Sequence, residues 1–262
     1  MTILYAVAAL GLLGAGFGAV LAVASRVFHV EMDPRQEAVR SCLAGANCGG
    51  CGYPGCDAYA AAVARGEAPC NKCVAAPPEE QDKIARIMGA ENTGAERRVA
   101  FVPCSGCEGV AEPRFHYSGP QDCRAAMLFG GKSNKLCSFA CLGLGNCVRA
   151  CPFGAMKLEN GVAKVNRAAC VGCGACRDAC PKKLVQMLPA SQRVMPACSN
   201  RTRGTAVTKI CKAGCIGCKK CERECPAGAI SVVDSLAVVN PALCTQCGYC
   251  VDACTRHVIV EL

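Results

Sequence analysis

The first 25 residues, MTILYAVAALGLLGAGFGAVLAVAS, are apolar or small almost throughout and carry no charge. At about 1.5 Å rise per residue such a run makes a helix of roughly 36 Å, enough to cross a hydrocarbon core of about 30 Å with some tilt. Ala22-Val23-Ala24 resembles a signal cleavage site. The run nevertheless lacks a basic leader and exceeds the usual apolar length of a signal sequence, so a retained single-pass anchor is predicted over 1–25. Gly11, Gly14, Ala15, Gly18 and Ala22 fall along one side, a pattern that lets a second membrane helix approach closely. Arg26, Arg35 and Arg40 follow the run and nothing basic precedes it, which predicts that the bulk of the chain faces the cytoplasm.

Beyond the anchor the pattern breaks into short pieces. Asp33-Pro34 reads as an N-cap and first helical residue, starting a helix to about Leu43. A glycine-rich loop then feeds a helix from Asp57 to about Arg65 that stops at Gly66. Residues 76–98, rich in Ala, Pro and charge, read as a linker with one embedded helix near 78–88. From about Val99 onward, short Val-rich segments such as GVAKV and SLAVV alternate with loops of Gly and Cys. They predict short strands in small α+β modules.

Composition changes the picture of what holds these pieces together. Cysteine accounts for 27 of 262 residues, whereas aromatics make up 5% and Trp is absent. So little bulky apolar material cannot build a large core after the anchor is set aside. An odd cysteine total and crowded Cys-x-x-Cys runs argue against a disulfide scaffold and for metal ligation, whose binding energy is also folding energy.

The cysteine array is duplicated. Cys137, Cys141, Cys147, Cys151, Cys170, Cys173, Cys176 and Cys180 each recur 74 residues later, as Cys211, Cys215, Cys221, Cys225, Cys244, Cys247, Cys250 and Cys254. Eight coincidences at one offset define an internal repeat. In the second copy, Cys215-x2-Cys218-x2-Cys221-x3-Cys225-Pro226 and Cys244-x2-Cys247-x2-Cys250-x3-Cys254 form the two-cluster ferredoxin pattern, in which the fourth cysteine of each run crosses to the other cluster. The expected [4Fe–4S] ligand sets are therefore Cys215, Cys218, Cys221 and Cys254, and Cys244, Cys247, Cys250 and Cys225. The same crossing in the first copy groups Cys170, Cys173, Cys176 and Cys151.

Its partner set, Cys141, Cys147 and Cys180, has Leu144 where Cys218 stands in the second copy. Cys137, one turn upstream, is the expected displaced ligand, since Gly143 and Gly145 would let the loop fold back. Nearer the N-terminus, Cys48-x2-Cys51-x4-Cys56-x16-Cys73 with glycines at 49, 50, 52 and 55 predicts a further [4Fe–4S] site. Cys104, Cys107 and Cys123 supply three ligands for a sixth cluster, with Cys198 or Cys211 as the fourth. Cys42 and Cys70 have no assigned role.

The run NCGGCGYPGCDAYA followed by NKC resembles the B subunit of the Rnf complex, the membrane-bound, ion-translocating ferredoxin:NAD+ oxidoreductase of bacteria. Anchor, small cluster domain and ferredoxin modules match in order over essentially the whole chain, and CLGLGNC resembles the longer form with two ferredoxin modules. The resemblance implies an electron-transfer subunit with no catalytic site of its own. It would take electrons from reduced ferredoxin and pass them toward membrane and flavoprotein subunits at the bacterial cell membrane, with no nucleic-acid partner. The implied α+β organisation is an anchor over 1–25, a small helical [4Fe–4S] domain over 26–75, a linker over 76–98, and ferredoxin-like modules over 99–190 and 191–262. The alternatives are a polyferredoxin serving a hydrogenase or formate enzyme, and a zinc-binding scaffold.

Charge adds one feature to this reading. The chain carries a net +9, and between Lys182 and Cys225 ten Lys or Arg face only Glu222 and Glu224. That skew, centred on Lys182, Lys183, Lys219 and Lys220, is expected to steer an acidic ferredoxin to its docking site.

Overall fold

The computed structural model describes residues 2–27, 33–92, 94, 96–130 and 133–262. The apolar run forms α1 (Thr2–Val27), and the large side chains described along it are exposed, Leu12 at 76% and Phe17 at 69%. A helix apolar on all sides has its backbone hydrogen bonds satisfied internally and its surface suited to lipid. A Cβ placed on Gly14 or Gly18 would meet nothing within 4 Å, so the small-residue face is open.

The small domain starts with α2 (Pro34–Ser41), capped by the Asp33 carboxylate, which accepts the Arg35 N–H at 2.8 Å. It continues with α3 (Cys56–Ala64) and α4 (Pro78–Met88). Val39, Tyr59, Val63 and Ile84 form its core. Ile84 lies on α4, which packs against α2. The helix inside the stretch read as a linker is thus a wall of the small domain, because its one apolar face needs cover. Tyr59 ties the following loop to α3, donating to the Pro69 carbonyl at 2.7 Å and accepting the Lys72 N–H at 3.1 Å.

The first module comprises β1 (Arg98–Phe101), α5 (Cys123–Gly130), α6 (Asn146–Arg149), β2 (Met156–Glu159), β3 (Val162–Val165), α7 (Ala175–Ala179) and β4 (Gln186–Pro189). The second comprises β5 (Val194–Pro196), α8 (Gly204–Ile210), α9 (Lys220–Arg223), β6 (Ile230–Val233), β7 (Leu236–Val239), α10 (Tyr249–Ala253) and β8 (Ile259–Glu261). Each holds two antiparallel strand pairs. The outer pairs are β1–β4, with Val99 opposite Leu188, and β5–β8, with Met195 opposite Val260; the hairpins are β2–β3 and β6–β7. Both hairpins turn on two residues of positive φ, Asn160-Gly161 and Asp234-Ser235, as a tight right-twisted connection requires.

The 74-residue repeat is therefore structural: α6, β2 and β3 coincide with α9, β6 and β7 at that offset. The copies differ upstream. Cys141 lies 40 positions after Phe101 (141 − 101), but Cys215 only 19 after Pro196 (215 − 196), and the extra length of the first copy contains α5. The modules share a core, since Phe101 and Leu188 of the first pack with Val194, Val258 and Ile259 of the second. Backbone hydrogen bonds stitch the seam: Ser105 N–H to Ala197 O at 3.0 Å, Lys212 N–H to Val110 O at 2.9 Å, and Glu112 N–H to Ile210 O at 3.0 Å.

Candidate iron–sulfur sites

All 27 cysteines are free thiols. In the small domain Cys48, Cys51, Cys56 and Cys73 line one cavity with Tyr59 and Val74. The loop that presents them is shaped by Asn47, whose side-chain oxygen accepts the Cys56 N–H at 2.8 Å and starts α3.

In the second module Cys215, Cys218, Cys221 and Cys254 line one cavity, while Cys250 lies beside Cys225, Cys244 and Cys247. The exchange of fourth cysteines follows from the fold, because α9 and α10 pack against each other and each run ends beside the other's loop. In the first module Cys151 joins Cys170, Cys173 and Cys176 in the same manner. Backbone amides point at several sulfurs: Ala100 N–H at Cys170 Sγ, 3.4 Å, Leu184 N–H at Cys180 Sγ, 3.4 Å, and the repeat-equivalent Val258 N–H at Cys254 Sγ, 3.3 Å. Such donors favour the charged, ligating form of sulfur.

The remaining set of the first module departs from the sequence expectation. Cys141, Cys147 and Cys180 share their cavity with Cys123, not Cys137. Cys123 arrives from the inserted segment as the first residue of α5, which Asp122 caps by accepting the N–H groups of Arg124 and Ala125 at 2.7 and 2.9 Å. Asn146 fixes the position, accepting the Cys123 N–H and donating to the Asp122 carboxylate, both at 2.8 Å. Arg149 braces the same corner through the carbonyls of Leu144 and Gln121. Leu144 is buried with Ala126 and Leu142 under α5, so the residue that stands where the second copy has Cys218 is the seat of the helix that brings Cys123. The extra upstream length of the first copy was the available sequence signal.

Cys137 instead lines a cavity at the seam between the modules, together with Cys104, Cys198 and Cys211. The expected grouping of Cys104, Cys107, Cys123 and Cys198 is thereby split. Cys104 and Cys198 are together, Cys123 belongs to the cavity just described, and Cys107 packs against the first-module core. Six groups of four take 24 of the 27 cysteines, leaving Cys42, Cys70 and Cys107. Among the described residues no three His, Cys, Asp or Glu side chains converge on a point suited to one ion. The thiols stand around spaces instead.

Burial raises several of the thiols. Cys147 is pushed up to about 12, and Cys176, Cys198, Cys221 and Cys250 up to about 11, in each case first by desolvation. Bare, these groups are protonated at neutral pH, and ligation displaces the proton. The residues present fit iron–sulfur clusters: four-thiol sets, apolar or glycine-rich linings, and amides directed at sulfur.

Lysines of the expected docking patch divide by environment. Lys183, Lys219 and Lys220 are exposed, and the last two border the cavity of Cys218, itself exposed. Lys182 turns inward: its ammonium donates to the Ser138 carbonyl at 2.5 Å, and burial lowers it while the neighbouring thiols of Cys137 and Cys180 raise it. Its ammonium is thus directed into the protein.

Comparison with known proteins agrees with this architecture. The Fe-S cluster family matches residues 43–75, and the 4Fe-4S dicluster domain matches residues 140–185 and 214–259. The chain is 42% identical to the B subunit of the Na(+)-translocating ferredoxin:NAD(+) oxidoreductase complex of Acetobacterium woodii, over 98% of this chain and 77% of the relative. It is 41% identical to the B subunit of the ion-translocating oxidoreductase complex of Methanosarcina acetivorans, over 97% and 96% of the two chains. It is equally 41% identical to the B subunit of the proton-translocating ferredoxin:NAD(+) oxidoreductase complex of Clostridium ljungdahlii, over 94% and 87%. Near full-length identity at this level, on a chain whose cysteines gather four by four, places the protein in the family of B subunits of the Rnf-type ion-translocating oxidoreductase complexes.

Proposed function

We propose that this chain is the electron-carrying subunit of a membrane-bound, ion-translocating ferredoxin:NAD+ oxidoreductase, taking electrons from reduced ferredoxin and delivering them to the membrane and flavoprotein subunits. The observation that carries the reading is the succession of four-cysteine sets through all three folded units. Five are the sets of Cys48, Cys51, Cys56 and Cys73; Cys151, Cys170, Cys173 and Cys176; Cys123, Cys141, Cys147 and Cys180; Cys215, Cys218, Cys221 and Cys254; and Cys225, Cys244, Cys247 and Cys250. A bound [4Fe–4S] cluster supplies one-electron chemistry with little change of shape. The protein's part is to hold successive sets close, to exclude water with apolar walls, and to tune each sulfur with amide donors.

Direction follows from position. Cys218 and Cys247 are the exposed thiols, both in the second module, and Lys219 and Lys220 beside Cys218 present positive charge to an acidic donor. At the other end, six Cα steps join Val27 of α1 to Asp33 of the small domain, a reach of at most about 22 Å. The small-domain set is therefore tethered to the membrane, on the cytoplasmic side by the arginine asymmetry. One charge crossing 100 mV requires about 2.3 kcal/mol, and two electrons dropping 30 mV release about 1.4 kcal/mol, so drops of tens of millivolts suffice for coupling.

Anaerobic purification from membranes, with iron, zinc and acid-labile sulfide analysis and identification of co-purifying subunits, tests the proposal. Iron and sulfide in equal amounts, with membrane and flavoprotein subunits present, are expected. Zinc without sulfide would overturn the reading. Gly14→Leu with Gly18→Leu should release the protein from those partners while leaving it in the membrane.

A further inference from the structure

From the seam between the modules we infer a bridging [4Fe–4S] site held by Cys104, Cys137, Cys198 and Cys211, which joins the two halves of the electron path. The inference rests on the reading of the chain as an electron carrier.

The ligand set is built from equivalent positions. Each module contributes the cysteine just after its first strand, Cys104 after β1 and Cys198 after β5, and the cysteine four residues before its first motif, Cys137 and Cys211. Two thiols per module close a four-thiol cavity only when the modules dock, and the backbone bonds of the seam surround it. Ser105 and Ala197 pair beside it, and Ala111 forms an antiparallel bridge with Cys211. The rest of the lining is small or apolar, including Ala111, Phe139, Ala140 and Ala197, and contains no acid. Gly106 keeps the space clear: a Cβ there would lie 3.6 Å from Cys104 Sγ, 3.7 Å from Cys211 Sγ and 3.1 Å from the Ala111 Cβ.

Donors point at three of the four sulfurs. Asn200, 2% exposed, directs its side-chain amide at Cys137 Sγ and its backbone N–H at Cys198 Sγ, each at 3.4 Å. Cys215 N–H reaches Cys198 Sγ and Cys141 N–H reaches Cys104 Sγ, also at 3.4 Å. These last two contacts explain what the site is for. Cys141 belongs to the first module's set and Cys215 to the second module's, so a ligand of each flanking set touches a ligand of the bridge. Arg256, donating to the Cys211 carbonyl at 2.8 Å, and the inward Lys182 offset the negative charge of such a group.

The test uses the full-length protein in its complex, purified anaerobically, with Cys137→Ser, Cys211→Ser and, as a control outside every set, Cys107→Ser. Cys137→Ser and Cys211→Ser should each lose about four iron and four sulfide per chain, or show a three-iron signal when oxidised, and should leave the same cluster missing. Cys107→Ser should keep the wild-type content. Asn200→Leu, which removes a donor without removing a ligand, should retain all iron yet move one cluster's midpoint potential to a more negative value. Wild-type iron accounting for five clusters only, one zinc lost on Cys137→Ser, or unchanged potentials in Asn200→Leu would overturn the bridge while leaving the electron-carrier reading intact. A wild-type chain without iron and sulfide would overturn both.

Discussion

Gly50 of the small domain lies directly on Cys173 of the first module: a Cβ at Gly50 would come within 2.9 Å of the Cys173 Cα and 3.1 Å of its Cβ. Cys173 in turn feels the charge of Cys48 across the same contact. Gly50 has no left-handed backbone to explain it, so the demand is for closeness alone. Gly50→Leu is expected to push the two loops apart, destabilising the contact by about 1–3 kcal/mol, as over-packing does. Iron content should stay at the wild-type value while electron delivery from the modules to the membrane partners slows. Stopped-flow reduction of the intact complex would check this, and an unaltered rate would remove the contact from the path.

The corner around Cys123 makes a second expectation. Cys123→Ser should convert or remove the cluster of Cys141, Cys147 and Cys180, with loss of about four iron or appearance of a three-iron signal. Asn146→Ala, which withdraws the acceptor of the Cys123 N–H, should retain the iron but lower stability by about 1–2 kcal/mol through the lost half-buried hydrogen bonds. Iron analysis and denaturant unfolding read the two effects separately. Intact spectra in Cys123→Ser would show that three thiolates suffice there.

Lysines that share a sequence neighbourhood should behave differently. Lys219→Glu with Lys220→Glu should slow reduction by ferredoxin and flatten its dependence on ionic strength, because both side chains are exposed beside Cys218. Lys182→Gln should leave the salt dependence unchanged, its ammonium being turned toward Ser138. Equal salt slopes in the Lys219/Lys220 double variant and wild type would place docking elsewhere.

Thiol burial predicts a pH effect of definite sign. In cluster-free protein, Cys147 is raised from 9.0 to about 12 and Cys198 from 9.0 to about 11, so the folded state binds more protons than the unfolded one across that window. The stability these thiols contribute is fully present below about pH 9 and is lost as pH rises toward 11–12. Loaded protein, whose ligating sulfurs have already given up their protons, should lack this decline. Thermal unfolding of stripped and loaded protein from pH 7.5 to 11 would show it, and parallel curves would contradict it.

The chain by itself determined whatever depends on neighbours in sequence. An uncharged apolar run makes an exposed helix wherever it is placed, and Cys-x2-Cys-x2-Cys brings three thiols to one loop because covalent spacing leaves them little choice. The facing of the two runs was also legible, since a duplicated pattern of two runs implies two loops facing each other; Cys151 and Cys254 each line a cavity with the other run's cysteines, and Cys225 lies beside Cys250. Only tertiary structure places Cys123, and not Cys137, at the cavity of Cys141, Cys147 and Cys180. Their order along the chain favoured the nearer thiol, but α5 folds back over Leu144 and carries the more distant one in, while Cys137 faces the other way. The seam cavity was less legible still. Its four cysteines come in pairs from separate modules, and no local spacing encodes a site that exists only where Phe101 and Leu188 have packed into the second module's core. Burial of that shared apolar surface, which is non-directional and invisible in any short motif, sets where those four sulfurs meet.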